Sequence, residues 1–207
     1  MPGVFITFEG PEGAGKTLQA KRLVDLLRDD GRGALLTREP GGTLLGEQVR
    51  SVVLSETPGG PGISPIAEAL LFNAARAQLV AEVIKPALDA GQVVVCDRFA
   101  DSTLAYQGYG AGLDLTDLRA IADVATMGLV PDLTILLDIP PEIGLSRKDA
   151  GSRNRFEAAF DLAFHRRVRA GFLDLARLEP GRWAVVDATR DPEAVFSDIR
   201  GAVARVV

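Results

Sequence analysis

Gly10-Pro11-Glu12-Gly13-Ala14-Gly15-Lys16-Thr17 decides the fold of this chain. The octapeptide fits Gly-x4-Gly-Lys-Ser/Thr. It follows the apolar run Val4-Phe5-Ile6-Thr7-Phe8 and precedes the amphipathic segment Leu18 to Arg28. Strand, glycine-rich turn and helix, in that order, form the context that a phosphate-cradling loop requires. Glycines let backbone N–H groups converge on phosphate oxygens, and the helix N-terminus adds partial positive charge. Lys16 can reach the β- and γ-phosphates of a nucleoside triphosphate, and the Thr17 hydroxyl can ligate Mg²⁺. The alternative is a glycine-rich turn that merely opens a helix, which the full pattern and its flanks disfavour.

Outward from this loop, five short apolar runs read as buried strands: Phe5–Phe8, Ala34–Thr37, Val93–Cys96, Leu133–Leu137 and Ala184–Val186. They alternate with segments of helical period over Leu18–Arg28, Leu44–Leu54, Pro65–Ala90, Thr116–Thr126, Pro141–Lys148, Glu157–Leu178 and Pro192–Val206. This alternation predicts an α/β fold of the P-loop NTPase type, a five-stranded parallel sheet with helices on both faces. Pro86 is expected to end or kink the long central helix near Lys85. The Pro- and Gly-rich stretch from Thr57 to Gly62 is expected to be a mobile connection without regular structure.

The 207 residues suit one domain, residues 1–207, and no repeat, low-complexity tract or boundary divides them. With 47% hydrophobic and 25% charged residues the composition is that of a globular protein. A net charge of -5 argues against general nucleic-acid binding, which needs a cationic surface. Cys96 is the only cysteine, so an internal disulfide is excluded, and it reads as core packing. His165, the only histidine, reads as structural. Neither a Cys/His metal cluster nor a Ser-His-Asp set can be assembled. No signal-peptide pattern and no bilayer-length apolar run is present, so the expected location is cytoplasmic.

In parallel sheets ligands collect beyond the carboxyl ends of the strands. Asp97-Arg98 ends the third strand, where a carboxylate can hold Mg²⁺ and an arginine can clamp a phosphate. A surface ion pair is the alternative. Thr37-Arg38-Glu39-Pro40-Gly41-Gly42-Thr43 follows the second strand as a tight loop that would let a ligand approach, or as a simple strand-to-helix turn. Phe72 and Arg76 are four apart on the long helix. They could stack on a base and bond its edge, or be a core phenylalanine beside a solvent-facing arginine. Ser102, Thr103, Tyr106 and Gln107 bring neutral hydrogen-bonding groups together at helical spacing, suited to a base edge or a sugar hydroxyl. Arg147, Lys148, Arg153 and Arg155 surround a short polar segment that could act as a lid over transferring phosphates, or be solvated.

Taken together, these elements resemble the thymidylate kinase family. The matching stretches are Phe-Glu-Gly-Pro-Glu-Gly-Ala-Gly-Lys-Thr (8–17), Thr-Arg-Glu-Pro-Gly-Gly-Thr (37–43) and Leu-Leu-Phe-Asn-Ala-Ala-Arg-Ala-Gln (70–78). Asp-Arg-Phe (97–99), Asp-Ser-Thr-Leu-Ala-Tyr-Gln-Gly (101–108) and Pro-Asp-Leu-Thr (131–134) continue the match in order. The resemblance implies transfer of the ATP γ-phosphoryl group to dTMP, with Mg²⁺, by a homodimer joined through sheet-covering helices. It implies that residues 10–17 hold ATP and that Thr17 and Asp97 hold the metal. Phe72 would stack on thymine, Arg76 and Gln107 would contact the base edge with Thr103 assisting, and Ser102 would bind substrate in the same pocket. Tyr106 would sit against the sugar, Arg98 would clamp the dTMP phosphate, and Glu12, Glu39 and Arg50 would line the same pocket.

Relatives place a catalytic arginine either in the phosphate loop or in the lid. Positions 11, 12 and 14 here are Pro, Glu and Ala, so the resemblance sends that role to the lid, about 147–156, with Arg147, Arg153 and Arg155 as candidates. The chain departs from many relatives in Asn154-Arg155-Phe156-Glu157 and in Phe99, where Tyr or His is common. A kinase for another monophosphate or for a deoxynucleoside is the nearest rival. A nucleotide-dependent switch is a further one, weakened by the lack of an Asn-Lys-x-Asp element.

Overall fold

A computed structural model describes residues 3–54, 62–147 and 160–207. The expected lid arginines Arg153 and Arg155, and all but Gly62 of the Pro- and Gly-rich connection, lie outside the described residues. Five parallel strands, β1 (Val4–Glu9), β2 (Ala34–Arg38), β3 (Val93–Asp97), β4 (Leu133–Asp138) and β5 (Trp183–Asp187), form one sheet in the order β2-β3-β1-β4-β5. The strand that feeds the phosphate loop is therefore central, with the end of β3 on one side and that of β4 on the other.

Every strand runs one residue further than its apolar run, ending on Glu9, Arg38, Asp97, Asp138 or Asp187. Ladder pairing continues through residues whose side chains are polar, as in the Phe8–Asp97 and Arg38–Asp97 registers. Four of the five strands thus place a carboxylate at the edge of the sheet where ligands gather.

Alternate residues of β1 face opposite layers. Ile6 and Phe8 pack with Leu23, Val24 and Leu27 of α1 (Lys16–Asp29), and with Val195 and Ile199 of the C-terminal helix (Pro192–Val203). Phe5 turns to the other face, against Leu79 of α3 (Pro65–Leu79), Ile84 and Phe99. That face is completed by Leu136 and Trp183 under Phe172 and Leu175 of the long helix Leu162–Leu178. Between β1 and β4 lies a polar tie, Thr7 Oγ1 to Thr134 Oγ1 at 2.9 Å.

Helix α2 spans Leu44–Leu54 as expected. Of the end or kink expected near Lys85, the structure shows no end at Pro86 but a change of helical register just before it. After α3 the chain widens into a π-helical turn over Val80–Ile84, in which the Lys85 N–H bonds the Val80 carbonyl, and helix continues as α4 (Lys85–Asp89). Proline lacks the donor that an α-helix needs, so placing it in the first turn after a register change removes the conflict. The segment 101–108, expected at α-helical spacing, is likewise α5 (Ala100–Thr103) followed by a π-helical stretch over Leu104–Gly110. Helix α6 (Leu115–Thr126) is capped by Asp114, and α7 (Pro141–Ser146) follows β4. The long helix, α8, starts at Leu162 behind its cap Asp161, with 157–159 outside the described residues, and the C-terminal helix is α9.

Candidate active site

Glycine geometry builds the phosphate loop. Gly10 has φ 140°, and a Cβ there would lie 2.4 Å from the Leu137 carbonyl oxygen. A Cβ on Gly13 would fall 1.9 Å from the Gly144 carbonyl oxygen, so the loop meets α7 backbone to backbone. Neither position has room for a side chain. Lys16 donates from Nζ to the Gly10 and Pro11 carbonyls at 3.0 and 2.8 Å. Burial lowers its pKa to about 8, with the Arg98 charge pushing the same way. Thr17 Oγ1 donates to Asp97 Oδ2 at 2.5 Å, bringing a hydroxyl and a carboxylate together beside the loop.

Arg98 links the loop to the opposite wall. Its Nη2 donates to Glu12 Oε1 at 2.8 Å and to the Tyr106 hydroxyl at 3.1 Å. Its Nη1 donates to Ser102 Oγ at 3.1 Å and to the Gly10 carbonyl at 3.2 Å. Burial alone would favour neutral arginine, but Tyr106, Glu12, Glu9 and Asp97 outweigh it and hold the pKa above the ordinary value. The phenol of Tyr106 in turn donates to Glu12 Oε1 at 2.9 Å.

Below this layer lies Glu9, fully buried. Its Oε1 accepts from the Phe99 N–H at 2.8 Å and its Oε2 from Ser102 Oγ at 2.5 Å. Burial, with Asp101 nearby, raises its pKa to about 8 despite Arg98. Sequence reasoning gave Glu9 no role. The available signal was a carboxylate closing an otherwise apolar strand.

Arg76 is inside the protein at 1% exposure, the reverse of a solvent-facing arginine. Its Nε donates to Glu39 Oε2 at 2.9 Å, its Nη1 to Asn73, and its Nη2 to Thr103 and the Phe99 carbonyl. Burial raises the Glu39 pKa to about 7 even against Arg76, and Glu39 Oε1 has no hydrogen-bond partner among the described residues. Gln107 Nε2 donates to Glu68 Oε2 at 2.9 Å, and Arg50 donates to the Pro40 carbonyl at 3.0 Å. Sequence reasoning likewise gave no role to Glu68 and Asn73, which brace these groups.

One cleft of about 570 Å³ unites the two halves. Glu12, Gly13, Gly15, Lys16 and Thr17 line one end. Glu39, Arg50, Phe72, Arg76, Ser102, Thr103, Tyr106 and Gln107 line the other, with Asp97 and Arg98 between. Three loop residues stand apart from the lining: Gly10 and Pro11 supply carbonyls behind Lys16, and Ala14 is packed into the core. Arg147 reaches the cleft from the end of α7, donating to the Ala188 carbonyl at 3.0 Å and to the Gly13 carbonyl at 3.4 Å. Two charged walls and a phosphate loop in one cleft can hold two anionic ligands with their phosphates facing each other.

Residues 8–199 match the thymidylate kinase family profile. A thymidylate kinase from Deinococcus radiodurans is 55% identical over 202 residues, covering 97% of this chain and 96% of the relative. One from Solidesulfovibrio magneticus is 51% identical over 214 residues, covering 99% of this chain and all of the relative, 100%. The crystal structure of thymidylate kinase from Ehrlichia chaffeensis superposes with a TM-score of 0.81 at 33% identity, covering 98% of this chain and 100% of that one. The profile spans both the phosphate loop and the opposite wall, and the identity runs nearly end to end. On these grounds the chain belongs to the thymidylate kinase family.

Proposed function

We propose that this enzyme transfers the γ-phosphoryl group of ATP to dTMP, giving dTDP and ADP for dTTP synthesis. The observation that carries this reading is Arg98, whose guanidinium bridges Glu12 of the phosphate loop and Ser102 and Tyr106 of the facing wall. An arginine so placed meets an acceptor phosphate beside the donor.

A dTMP phosphate oxygen attacks the γ-phosphorus in line as the bond to the β-phosphate bridging oxygen breaks, and ADP departs. The attacking monoester is already anionic near neutral pH, so positioning and charge neutralisation supply the catalysis rather than a strong base. Residues 10–17 cradle ATP, Lys16 meets its β- and γ-phosphates, and Arg98 clamps the acceptor. Phe72 stacks on thymine, Arg76, Thr103 and Gln107 address its edge, and Tyr106 packs on the sugar. The Thr17 hydroxyl and Asp97 carboxylate are hard oxygen donors 2.5 Å apart, a pair that fits Mg²⁺ shared with substrate phosphates. When bound, Mg²⁺ neutralises charge on the donor phosphates. Arg147, Arg153 and Arg155 are the candidates for neutralising charge on the moving phosphoryl group. Arg153→Ala and Arg155→Ala, which lie in the expected lid, should lower kcat and leave ATP binding largely intact.

We also propose a homodimer, supported by apolar side chains exposed on α2, α3 and α6, among them Leu44, Val52, Leu70 and Val124. Light scattering on the purified protein tests it. No helix among the described residues is long and apolar enough to cross a membrane.

ADP production coupled to a panel of nucleoside monophosphates at fixed ATP tests the main reading. Release dependent on dTMP supports it. Equal rates with all acceptors, or with none added, would overturn it.

A further inference from the structure

Glu68 sits in the first turn of α3 at 4% exposure, and Gln107 sits on the π-helical stretch at 2%. The Gln107 side-chain amide has one end that only donates and one that only accepts. Its Nε2 is 2.9 Å from Glu68 Oε2, and a carboxylate can accept but not donate. The pairing therefore sets the amide's orientation, with nitrogen toward Glu68 and oxygen away from it. Gln107 Oε1 takes no hydrogen bond from any described residue, and Gln107 lines the cleft beside Thr103 and Arg76.

We propose that Glu68 is a specificity-positioning residue, which fixes the Gln107 amide so that the cleft meets a carbonyl acceptor next to one remaining N–H donor. That pair complements a cyclic imide, a ring N–H flanked by a carbonyl, as in thymine and uracil. Cytosine presents a bare ring nitrogen and an amino group there. Its ring nitrogen would face Gln107 Oε1 acceptor to acceptor, leaving two buried acceptors unpaired. Glu68 touches no substrate in this scheme; it acts through Gln107. Discrimination against the methyl-free imide is not its task, because uracil offers the same edge.

This inference rests on Gln107 reading the base. Glu68→Gln gives position 68 a donor and so permits the Gln107 amide to turn over, while Glu68→Ala releases it. Steady-state kinetics with dTMP and dUMP, and inhibition by dCMP, would be measured for the wild type, both variants and Gln107→Ala, with melting curves alongside. In each Glu68 variant kcat/KM for dTMP and dUMP should fall together by about tenfold, through KM, the loss expected when a buried hydrogen bond is misdirected. The dTMP-over-dUMP ratio should hold, and dCMP should gain on dTMP as an inhibitor. A uniform loss across all three nucleotides, or no change in dTMP-over-dCMP preference, overturns the role of Glu68. So does failure of both variants to fold, which would make it a structural residue. An unchanged KM for dTMP in Gln107→Ala would instead overturn the reading of Gln107 beneath it.

Discussion

The backbone N–H of Phe99 donates to Glu9 Oε1 at 2.8 Å, tying the last residue of β1 to the turn that follows β3. Just after β3, Arg98 adopts φ 74°, a conformation that residues other than glycine rarely take. Such a residue costs on the order of 1–3 kcal/mol and persists only where its surroundings impose it. Here the Arg98 N–H bonds the Phe8 carbonyl at 2.9 Å and the Cys96 thiol donates to the Arg98 carbonyl at 3.0 Å. The Glu9 contact locks the next peptide. Together these bonds aim the guanidinium across the cleft at Glu12.

Arg98→Ala should lower kcat/KM for dTMP by roughly 10²- to 10⁴-fold, the range seen when a preorganised charge donor is removed. Arg98→Lys should recover little of that loss, since a point charge cannot replace a planar fork holding four acceptors at once. Steady-state rates against dTMP concentration measure both. Near-normal turnover in Arg98→Ala would show that another group clamps the acceptor.

The unliganded protein should be least stable near pH 8. Burial raises the Glu9 pKa to about 8 from 4.5, so between those values the folded state binds more protons than the unfolded chain, and stability falls as pH rises. Glu39, raised to about 7, adds to the same slope. Burial lowers the Lys16 pKa to about 8 from 10.5, so above pH 8 the unfolded chain binds more protons and stability recovers, until from about pH 9 the buried Cys96 thiol, held well above its ordinary value, opposes the rise. Melting temperatures from pH 5 to 10 would trace the dip. Glu9→Gln should flatten its acidic limb and Lys16→Met its alkaline limb.

Phe72 is half-buried, lines the cleft and packs against the cluster that holds Tyr106 and Phe172. Loss of an aromatic platform under a base costs about 1–3 kcal/mol, or roughly 5- to 150-fold. Phe72→Ala should therefore raise KM for dTMP within that range and leave KM for ATP close to normal. Equal increases for both substrates would assign Phe72 to packing instead.

Away from the cleft, Arg182 donates to both carboxylate oxygens of Asp101, at 2.7 and 3.1 Å, and to Thr134 Oγ1 at 2.7 Å. This pair ties the residues before β5 to α5. Removing one partner of a buried pair costs about 3–5 kcal/mol, because the other charge stays buried. At roughly 2–4 °C per kcal/mol, Arg182→Met should lower Tm by about 6–20 °C, and calorimetry would measure it. The double variant Arg182→Met with Asp101→Leu should regain much of that loss.

Local patterns revealed much of this protein. The strand-loop-helix order around residues 10–17 is written in hydrophobic period and glycine spacing, and α2 was legible to the residue. Legibility failed where a neighbour in space reverses a local rule. Pro86 reads as a helix end or kink, and periodicity contains no hint of the π turn that accommodates it. Arg76 reads as solvent-facing from its helix alone, yet Glu39, 37 residues away, makes its burial tolerable.

By itself, then, the sequence determined the parallel α/β plan, the phosphate loop and the residue types that gather at the strand ends. Those features follow from chemistry within a few positions of the chain. The tertiary structure alone decided which of the polar groups line the cleft and which brace them. Glu9 lies 90 residues from Phe99, and Glu68 lies 39 from Gln107. No spacing rule spans such separations; only the packed sheet brings these groups within hydrogen-bond reach, and burial there sets how strongly each holds its proton.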